Sequence, residues 1–128
     1  MKKKILIIED ENNLAELLKI NLEAGGYDVI NAFDAEDGLM KVFNELPDII
    51  TLDVQLPGID GWEACRRIKT NPRTKDIPVI FITVIPKEEG YEKAISLGAD
   101  YYLTKPFVPT DLIEIIRKVV NRKKSNIK

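Results

Sequence analysis

The chain has 128 residues, with 19 basic and 21 acidic side chains, no histidine, one cysteine and a formal net charge of −2. This length fits a single domain whose core needs no disulfide or structural metal, and the balanced charge argues against nucleic-acid or membrane-surface binding. The absence of histidine excludes a histidine-based catalytic triad, and a lone cysteine argues against a zinc site. The apolar runs are too short to span a bilayer, so we expect a cytoplasmic protein without a membrane partner.

One local exception to the balanced charge lies at the end of the chain. From Arg117 to Lys128 the sequence carries six basic residues and no acidic one. A solvated helix end explains this run, because cations suit the negative end of the helix dipole. We prefer this interpretation to a nucleic-acid patch, and we expect no direct binding to nucleic acid.

Apolar runs alternate with segments of helical spacing along the chain. The predicted strands are Ile5–Ile8, Tyr27–Ala32, Asp48–Leu52, Pro78–Thr83 and Tyr101–Thr104. The predicted helices carry apolar stripes: Leu14, Leu17, Leu18 and Leu22; Ala35, Leu39, Val42 and Phe43; Ala64, Cys65 and Ile68; Tyr91, Ala94 and Ile95; Leu112, Ile115, Ile116, Val119 and Val120. Strand–helix units in a row predict an α/β fold, with a doubly wound parallel sheet covered by helices on both faces.

The composition of the five strands predicts their order. The first, third and fourth are continuously apolar, as strands buried on both faces must be. The second carries Asp28 and Asn31, and the fifth is short and rich in tyrosine, so both suit an edge. These assignments give the flavodoxin-like order 2-1-3-4-5, in which ligands bind beyond the carboxyl ends of strands 1 and 3.

Polar side chains collect at that edge of the predicted sheet. They follow strands 1, 3, 4 and 5: Glu9, Asp10, Glu11, Asp53, Thr83 and Lys105. Each has an ordinary explanation when taken alone, such as a helix cap for Asp10 or Glu11 and a turn acceptor for Asp53. Together, however, the carboxylates repel one another, and such a cluster usually holds a cation.

The kinds of residue in this cluster indicate its chemistry. Oxygen ligands without histidine or cysteine favour Mg²⁺ over zinc or copper, with Mn²⁺ as an alternative. A carboxylate, Mg²⁺, a lysine and a hydroxyl together suit phosphoryl transfer, in which cations offset charge on the transferred group. Asp53 can be the nucleophile that forms an acyl phosphate, with Thr83 donating a hydrogen bond to one of its oxygens. This chemistry explains why an apolar strand ends on a carboxylate.

Four segments carry a resemblance to a known family: IIEDE, TLDVQLPGIDGWE, FITV and GADYYLTKPF. In this order and spacing they resemble the receiver domain of two-component response regulators, of the chemotaxis-regulator type. The resemblance covers about residues 4–122, so we expect a single receiver domain over residues 1–128, with a basic tail at 123–128. It implies a signalling phosphoprotein that catalyses only its own phosphorylation and dephosphorylation, not an enzyme acting on other substrates.

The resemblance also implies roles for the acidic residues. Asp53 matches the phosphoacceptor, which takes a phosphoryl group from a sensor histidine kinase or a phosphotransfer protein. Asp10 matches the direct metal ligand, and Glu9 matches the acid that holds the metal through water. Gln55 matches the position that ligates the metal through its backbone carbonyl.

The remaining roles concern the transferred group and the output. Thr83 and Lys105 match the pair that contacts the phosphoryl group, and Pro106 follows a cis peptide bond. Tyr102 matches the aromatic residue that rotates inward when Thr83 moves towards the phosphoryl group, whereas Tyr101 is a packing residue. The implied output surface is formed by helix 4, strand 5 and helix 5, and it serves a downstream protein or an output domain. We expect a monomer or a weak phosphorylation-dependent dimer.

The sequence departs from the usual family pattern at a few positions. Glu9 replaces the commoner aspartate, Val84 stands where a small residue is usual, and Ile85–Pro86 make the same loop more apolar and stiffer. These differences bear on rates rather than on the chemistry. Because Val84 is branched, we expect it to lean over the phosphoryl site and to slow both phosphorylation and hydrolysis.

Three alternatives share parts of the pattern. A Mg²⁺-dependent hydrolase of the haloacid-dehalogenase type needs a second acid two residues after the nucleophile, where this chain has Gln55, which cannot transfer protons. A flavodoxin-like electron carrier needs a phosphate-binding loop after strand 1, where the acidic EDEN would repel the flavin phosphate. A receiver-like module that is never phosphorylated normally lacks a key residue, and all are present here. The sequence leaves open the cognate kinase, and whether the receiver stands alone or belongs to a longer chain.

Overall fold

The computed structural model describes residues 2–125, with side chains described for residues 2–122. Strands and helices alternate along the chain: β1 Lys4–Ile8, α1 Asn12–Ala24, β2 Asp28–Ala32, α2 Ala35–Glu45, β3 Ile49–Leu52, α3 Gly61–Lys69, β4 Val79–Thr83, α4 Lys87–Ser96, β5 Tyr101–Thr104 and α5 Pro109–Ser125. The strands form one five-stranded parallel sheet in the order β2-β1-β3-β4-β5. The predicted fold and strand order are therefore confirmed. The side chains of the predicted basic tail at 123–128 lie outside the described residues.

The strand register brings the carboxyl ends of the strands together at one edge. Ile8 at the end of β1 pairs with Leu52 at the end of β3, and Thr83 of β4 pairs with Thr104 of β5. The alignment continues past β3, because the backbone N–H of Asp53 donates to the carbonyl of Ile8 at 3.2 Å. The residues that follow these strands are therefore neighbours, as the predicted strand order requires.

Helices cover both faces of the sheet, so its central strands are buried. Every residue of β3 and β4 is buried, and so are the apolar residues of β1. One face packs against α2, α3 and α4, and the other packs against α1 and α5. Fully burying an isoleucine or leucine side chain stabilises a fold by about 1.5–3 kcal/mol, and this strand order buries all three apolar strands on both faces. The half-exposed β2 and β5 form the edges.

Two of the predicted helical stripes include residues that the fold leaves exposed. Leu17 of α1 is exposed beside the buried face of its helix. Tyr91 and Ile95 of α4 are also exposed, and the buried face of α4 is formed by Gly90 and Ala94. Apolar spacing marks one side of a helix, but here two small residues let α4 approach the sheet and leave the bulky pair outside. No helix within residues 2–125 is long and apolar enough to cross a bilayer.

Candidate functional site

Asp53 lies at the carboxyl end of β3, with only 5% of its surface exposed. Its two carboxylate oxygens have different partners. Oδ1 accepts a hydrogen bond from the backbone N–H of Gln55 at 3.1 Å, which is the ordinary turn interaction of an aspartate. Oδ2 lies 2.8 Å from Nζ of Lys105. The turn therefore accounts for one oxygen, and the other contacts a cation supplied by the segment after β5.

Lys105 joins two buried carboxylates. Its Nζ lies 2.8 Å from Oδ2 of Asp53 and 2.9 Å from Oε1 of Glu9. Burial by itself would lower the pKa of Lys105, but the hydrogen bonds to Asp53 and Glu9 outweigh burial and raise this pKa above its ordinary value. The side chain is therefore an ammonium ion at neutral pH, held between the ends of β1 and β3.

Glu9 follows β1 and is only 3% exposed. Its Oε2 accepts a hydrogen bond from the backbone N–H of Glu11 at 3.1 Å. Burial raises the pKa of Glu9, while the hydrogen bonds from Lys105 and from Glu11 oppose that rise. Glu11 occupies the N-cap position of α1, but its side chain makes no capping hydrogen bond. A capping role therefore does not explain the acid at this position.

Glu9, Asp10 and Asp53 form a carboxylate cluster, in which one oxygen of each lies within 4.8 Å of the others. Asp10 is exposed whereas the other two are buried, so the cluster opens to solvent on the Asp10 side. Two of these carboxylates, Glu9 and Asp53, contact the ammonium of Lys105, and the third adds negative charge that a second cation can offset. Oxygen donors of this kind fit a hard cation such as Mg²⁺. A ligand role for the carbonyl of Gln55 stays a prediction.

Contacts through Ile85 link Thr83 to Tyr102. Thr83 is fully buried, and its hydroxyl oxygen accepts a hydrogen bond from the backbone N–H of Ile85 at 3.3 Å. The carbonyl of Ile85 accepts a hydrogen bond from the hydroxyl of Tyr102 at 2.7 Å. Tyr102 is 5% exposed, and burial raises the pKa of its hydroxyl. One loop residue is thus held at its N–H by β4 and at its carbonyl by β5.

Three further residues singled out from the sequence lie around this site. The peptide bond between Lys105 and Pro106 is cis. Tyr101 is partly buried against the core on the α1–α5 side of the sheet, and the guanidinium of Arg122 lies 5.8 Å from its ring centroid. Val84 is 54% exposed, so its side chain lies largely in solvent. Its expected effect on access to the phosphoryl site stays a prediction.

Gly61, the first residue of α3, belongs to the site although the sequence reasoning missed it. Its N–H donates to the carbonyl of Val54 at 2.7 Å. A Cβ on Gly61 would overlap the backbone carbonyl of Asp53 and lie 2.7 Å from Cα of Val54. The helix can approach the Asp53 backbone this closely only because residue 61 has no side chain. The available signal was its position directly after Asp60, which caps α3 by accepting from the N–H of Glu63.

Comparison with known proteins identifies the family. The model of the family described as "response regulator receiver domain" matches residues 5–117. The chain is 41% identical over 124 residues to the alkaline phosphatase synthesis transcriptional regulatory protein PhoP of Bacillus subtilis (strain 168). The aligned region covers 95% of this chain and 50% of that protein. The chain therefore spans about half the length of this curated relative.

Solved structures show the same fold. A CheY-like response regulator receiver domain protein from Methanospirillum hungatei JF-1 matches with a TM-score of 0.90 at 31% identity, over 98% of this chain and 99% of that one. The chemotaxis response regulator CheY4 of Vibrio cholerae matches with a TM-score of 0.88 at 26% identity, over 93% and 99%. From its family match, its relative and its fold, the chain belongs to the response regulator receiver domains, the phosphorylation-based signalling modules of two-component systems.

Proposed function

We propose that Asp53 accepts a phosphoryl group from the phosphohistidine of a sensor kinase or of a phosphotransfer protein. The observation that carries this proposal is the 2.8 Å contact between Oδ2 of the buried Asp53 and the ammonium of Lys105, beside two further acids. A carboxylate can act as the nucleophile in phosphoryl transfer, and a fixed cation offsets the charge on the transferred oxygens. Both groups are in place at one edge of the sheet.

The transfer step uses groups whose contacts are known. An oxygen of Asp53 attacks the phosphorus, and the bond from phosphorus to the imidazole nitrogen breaks with its electron pair staying on that nitrogen. With the second ring nitrogen of the phosphohistidine protonated, neutral imidazole leaves, and Asp53 becomes an acyl phosphate. Lys105 already bonds to Asp53 and would pair with a phosphoryl oxygen. The hydroxyl of Thr83 accepts from Ile85, so its own hydrogen remains to be donated to a second oxygen.

Glu9, Asp10 and Asp53 would hold Mg²⁺, or Mn²⁺ as the alternative, with the carbonyl of Gln55 as a further proposed ligand. When bound, such a cation offsets the negative charge that gathers on the transferred oxygens. The contribution of the chain is to fix the acids before the donor arrives. Burial holds two of them, and a backbone N–H donates to an oxygen of each of those two, from Glu11 to Glu9 and from Gln55 to Asp53.

The surface formed by α4, β5 and α5 is proposed to carry the output. The loop that joins Thr83 to α4 is tied to β5 by the hydrogen bond from Tyr102 to Ile85, so a shift at the site reaches this surface. Tyr91 and Ile95 expose apolar side chains on α4, as a binding surface does. We expect phosphorylation to change partner affinity by about 1–3 kcal/mol, which is typical of allosteric coupling.

The downstream partner is proposed to be a separate protein or an output domain on the same polypeptide. The Bacillus subtilis relative is about twice as long as the matched region and is by name a transcriptional regulatory protein. A monomer or a weak dimer formed on phosphorylation is consistent with either arrangement. Catalysis is proposed to be limited to the protein's own phosphorylation and dephosphorylation, and a cytoplasmic location stays a prediction.

Labelling by small phosphodonors tests the proposal. With acetyl phosphate or phosphoramidate and Mg²⁺, the intact mass should rise by one phosphoryl group, and EDTA should abolish the gain. Asp53→Asn should gain nothing, whereas the control Asp60→Asn should label normally, because asparagine also caps helices well. Equal labelling of Asp53→Asn would show that another residue is the acceptor. Sustained phosphate release from p-nitrophenyl phosphate would instead favour a hydrolase.

A further inference from the structure

Tyr102 occupies a space that exists because residue 90 is glycine. Gly90 lies on the buried face of α4, next to the end of the Tyr102 side chain. A Cβ built on Gly90 would overlap the hydroxyl oxygen of Tyr102 and would lie 2.9 Å from its Cζ and 3.1 Å from its Cε2. Because protein interiors are packed as densely as organic crystals, one of these groups would have to move.

The backbone gives no other reason for a glycine at this position. Within the described residues, the glycines with positive φ are Gly26, Gly58 and Gly98, and Gly90 is not among them. A glycine inside a helix is also less favourable than alanine, because it loses more conformational freedom on folding. The absent side chain, rather than an unusual backbone angle, is therefore what residue 90 contributes.

The group that a side chain at residue 90 would displace is the phenol. The overlapping atoms belong to the far end of a side chain, which can leave by rotation about χ1. The rings of Phe81 and Tyr91 flank the phenol, at 6.4 and 6.3 Å between centroids, and limit its movement within the pocket. Outward rotation would break the 2.7 Å hydrogen bond from Tyr102 to Ile85, which ties β5 to the loop after Thr83.

We propose that Gly90 is a positioning residue for Tyr102. By lacking a side chain it admits the phenol to its buried position, and so it determines the conformation of the α4–β5–α5 surface. The regulatory meaning of this inference rests on the proposed function, whereas its geometry does not. Any larger residue at position 90 should drive the ring to the exposed side of β5, whether or not Asp53 carries a phosphoryl group.

Thermal unfolding of Gly90→Ala in three backgrounds tests the packing. In the wild-type background the substitution should lower Tm, because the phenol is expelled. In Tyr102→Ala it should raise Tm by about 2–5 °C, since only the better helix propensity of alanine remains. In the matched control Tyr27→Ala, which removes a tyrosine packed on the α1–α5 side of the sheet, it should lower Tm as in the wild type.

The outcomes of these melts are distinct. An equal rise of Tm in all three backgrounds would overturn the proposal, because the phenol would then not be packed against residue 90. If Gly90→Ala does not fold alone, folding of Gly90→Ala/Tyr102→Ala supports the proposal. Failure of that double variant to fold, when Tyr102→Ala alone folds, overturns it.

A second measurement reports on the ring itself. Nitration by tetranitromethane, mapped by peptide mass spectrometry, should be slow at the buried Tyr102 of the wild type and several-fold faster in Gly90→Ala. Tyr27, which packs on the α1–α5 side of the sheet away from Tyr102, provides the internal reference rate. An unchanged ratio of the two rates would overturn the proposal. If wild-type Asp53 gains no phosphoryl group from acetyl phosphate, the proposed function is refuted but the role of Gly90 is not. The nitration and the melts use unmodified protein and so do not depend on phosphorylation.

Discussion

Replacing Lys105 with methionine would remove a charge while keeping most of the length of the side chain. In the wild type the ammonium bridges Glu9 and Asp53, at 2.9 and 2.8 Å. Without it, two buried carboxylates would face each other with no cation between them. We therefore expect Lys105→Met to be less stable in the absence of metal and to bind Mg²⁺ more tightly, since the ammonium and the metal compete for the same oxygens.

The expected magnitudes follow from the burial of the three groups. Removing one partner of a buried ion pair typically costs about 3–5 kcal/mol. The Lys105 side chain is 13% exposed, so solvent screens part of this cost and we expect a loss of about 2–4 kcal/mol. Loss of the competing charge should tighten Mg²⁺ binding at least about tenfold, equivalent to about 1.4 kcal/mol.

Urea unfolding in EDTA and in Mg²⁺ measures both effects. The matched control is Lys4→Met, because Lys4 pairs with Glu45 at 3.0 Å and the two side chains are 36% and 45% exposed. An exposed pair of this kind contributes at most about 1 kcal/mol to stability. Mg²⁺ should narrow the stability gap between Lys105→Met and wild type, since a ligand that binds only the folded state stabilises it. If in EDTA Lys105→Met loses no more stability than Lys4→Met, the electrostatic reasoning about this site is wrong.

Three other substitutions or reagents examine separate parts of the site and core. Gly61→Ala should lower the free energy of unfolding, measured in denaturant, by about 1–3 kcal/mol, because the new Cβ would displace the Asp53 backbone. The same displacement should slow labelling by acetyl phosphate. Wild-type behaviour in both assays would contradict this prediction. Burial raises the pKa of Cys65 to about 11, so at pH 8 its thiolate fraction is roughly 100-fold below that of an ordinary thiol. The thiol reagent 5,5′-dithiobis(2-nitrobenzoic acid) should therefore react with Cys65 only when the protein unfolds. Rapid reaction of the folded protein would refute this prediction. Val84→Ala should speed both phosphorylation by acetyl phosphate and loss of the phosphoryl group, a tenfold change needing only about 1.4 kcal/mol; an unchanged rate of loss would direct attention to Gln55.

The fold could be predicted because burial on two faces leaves a strong mark on composition. Apart from Lys4 at the start of β1, strands β1, β3 and β4 have no polar residue facing solvent, and this indicated their place at the centre of the sheet. Asp28 and Asn31 marked β2 as an edge, and there Asp28 is exposed and the carbonyl of Asn31 bonds to Nζ of Lys41 at 2.7 Å. The helix faces were less predictable, because Tyr91 and Ile95 have the same apolar character as core residues.

The acids of the site could be located because parallel strands align their carboxyl ends, which requires no knowledge of side-chain contacts. The individual contacts could not be read in this way. Glu11 is an acid at the N-cap position of α1, yet its backbone N–H is what matters, as the donor to Glu9. That contact depends on the path of the chain after β1, and a single sequence does not give this path.

Gly61 and Gly90 show the same limit more sharply. Periodicity and charge patterns reflect the properties of side chains, and a glycine has no side chain. The role of a glycine is therefore visible only when the segment that packs against it is known. For Gly61 that segment is the backbone of Asp53, and for Gly90 it is the phenol of Tyr102. Each glycine lets a helix, α3 or α4, close on a group at the carboxyl edge of the sheet. The acids supply the charge of this site, but the positions of Asp53 and Tyr102 depend equally on two side chains that are absent.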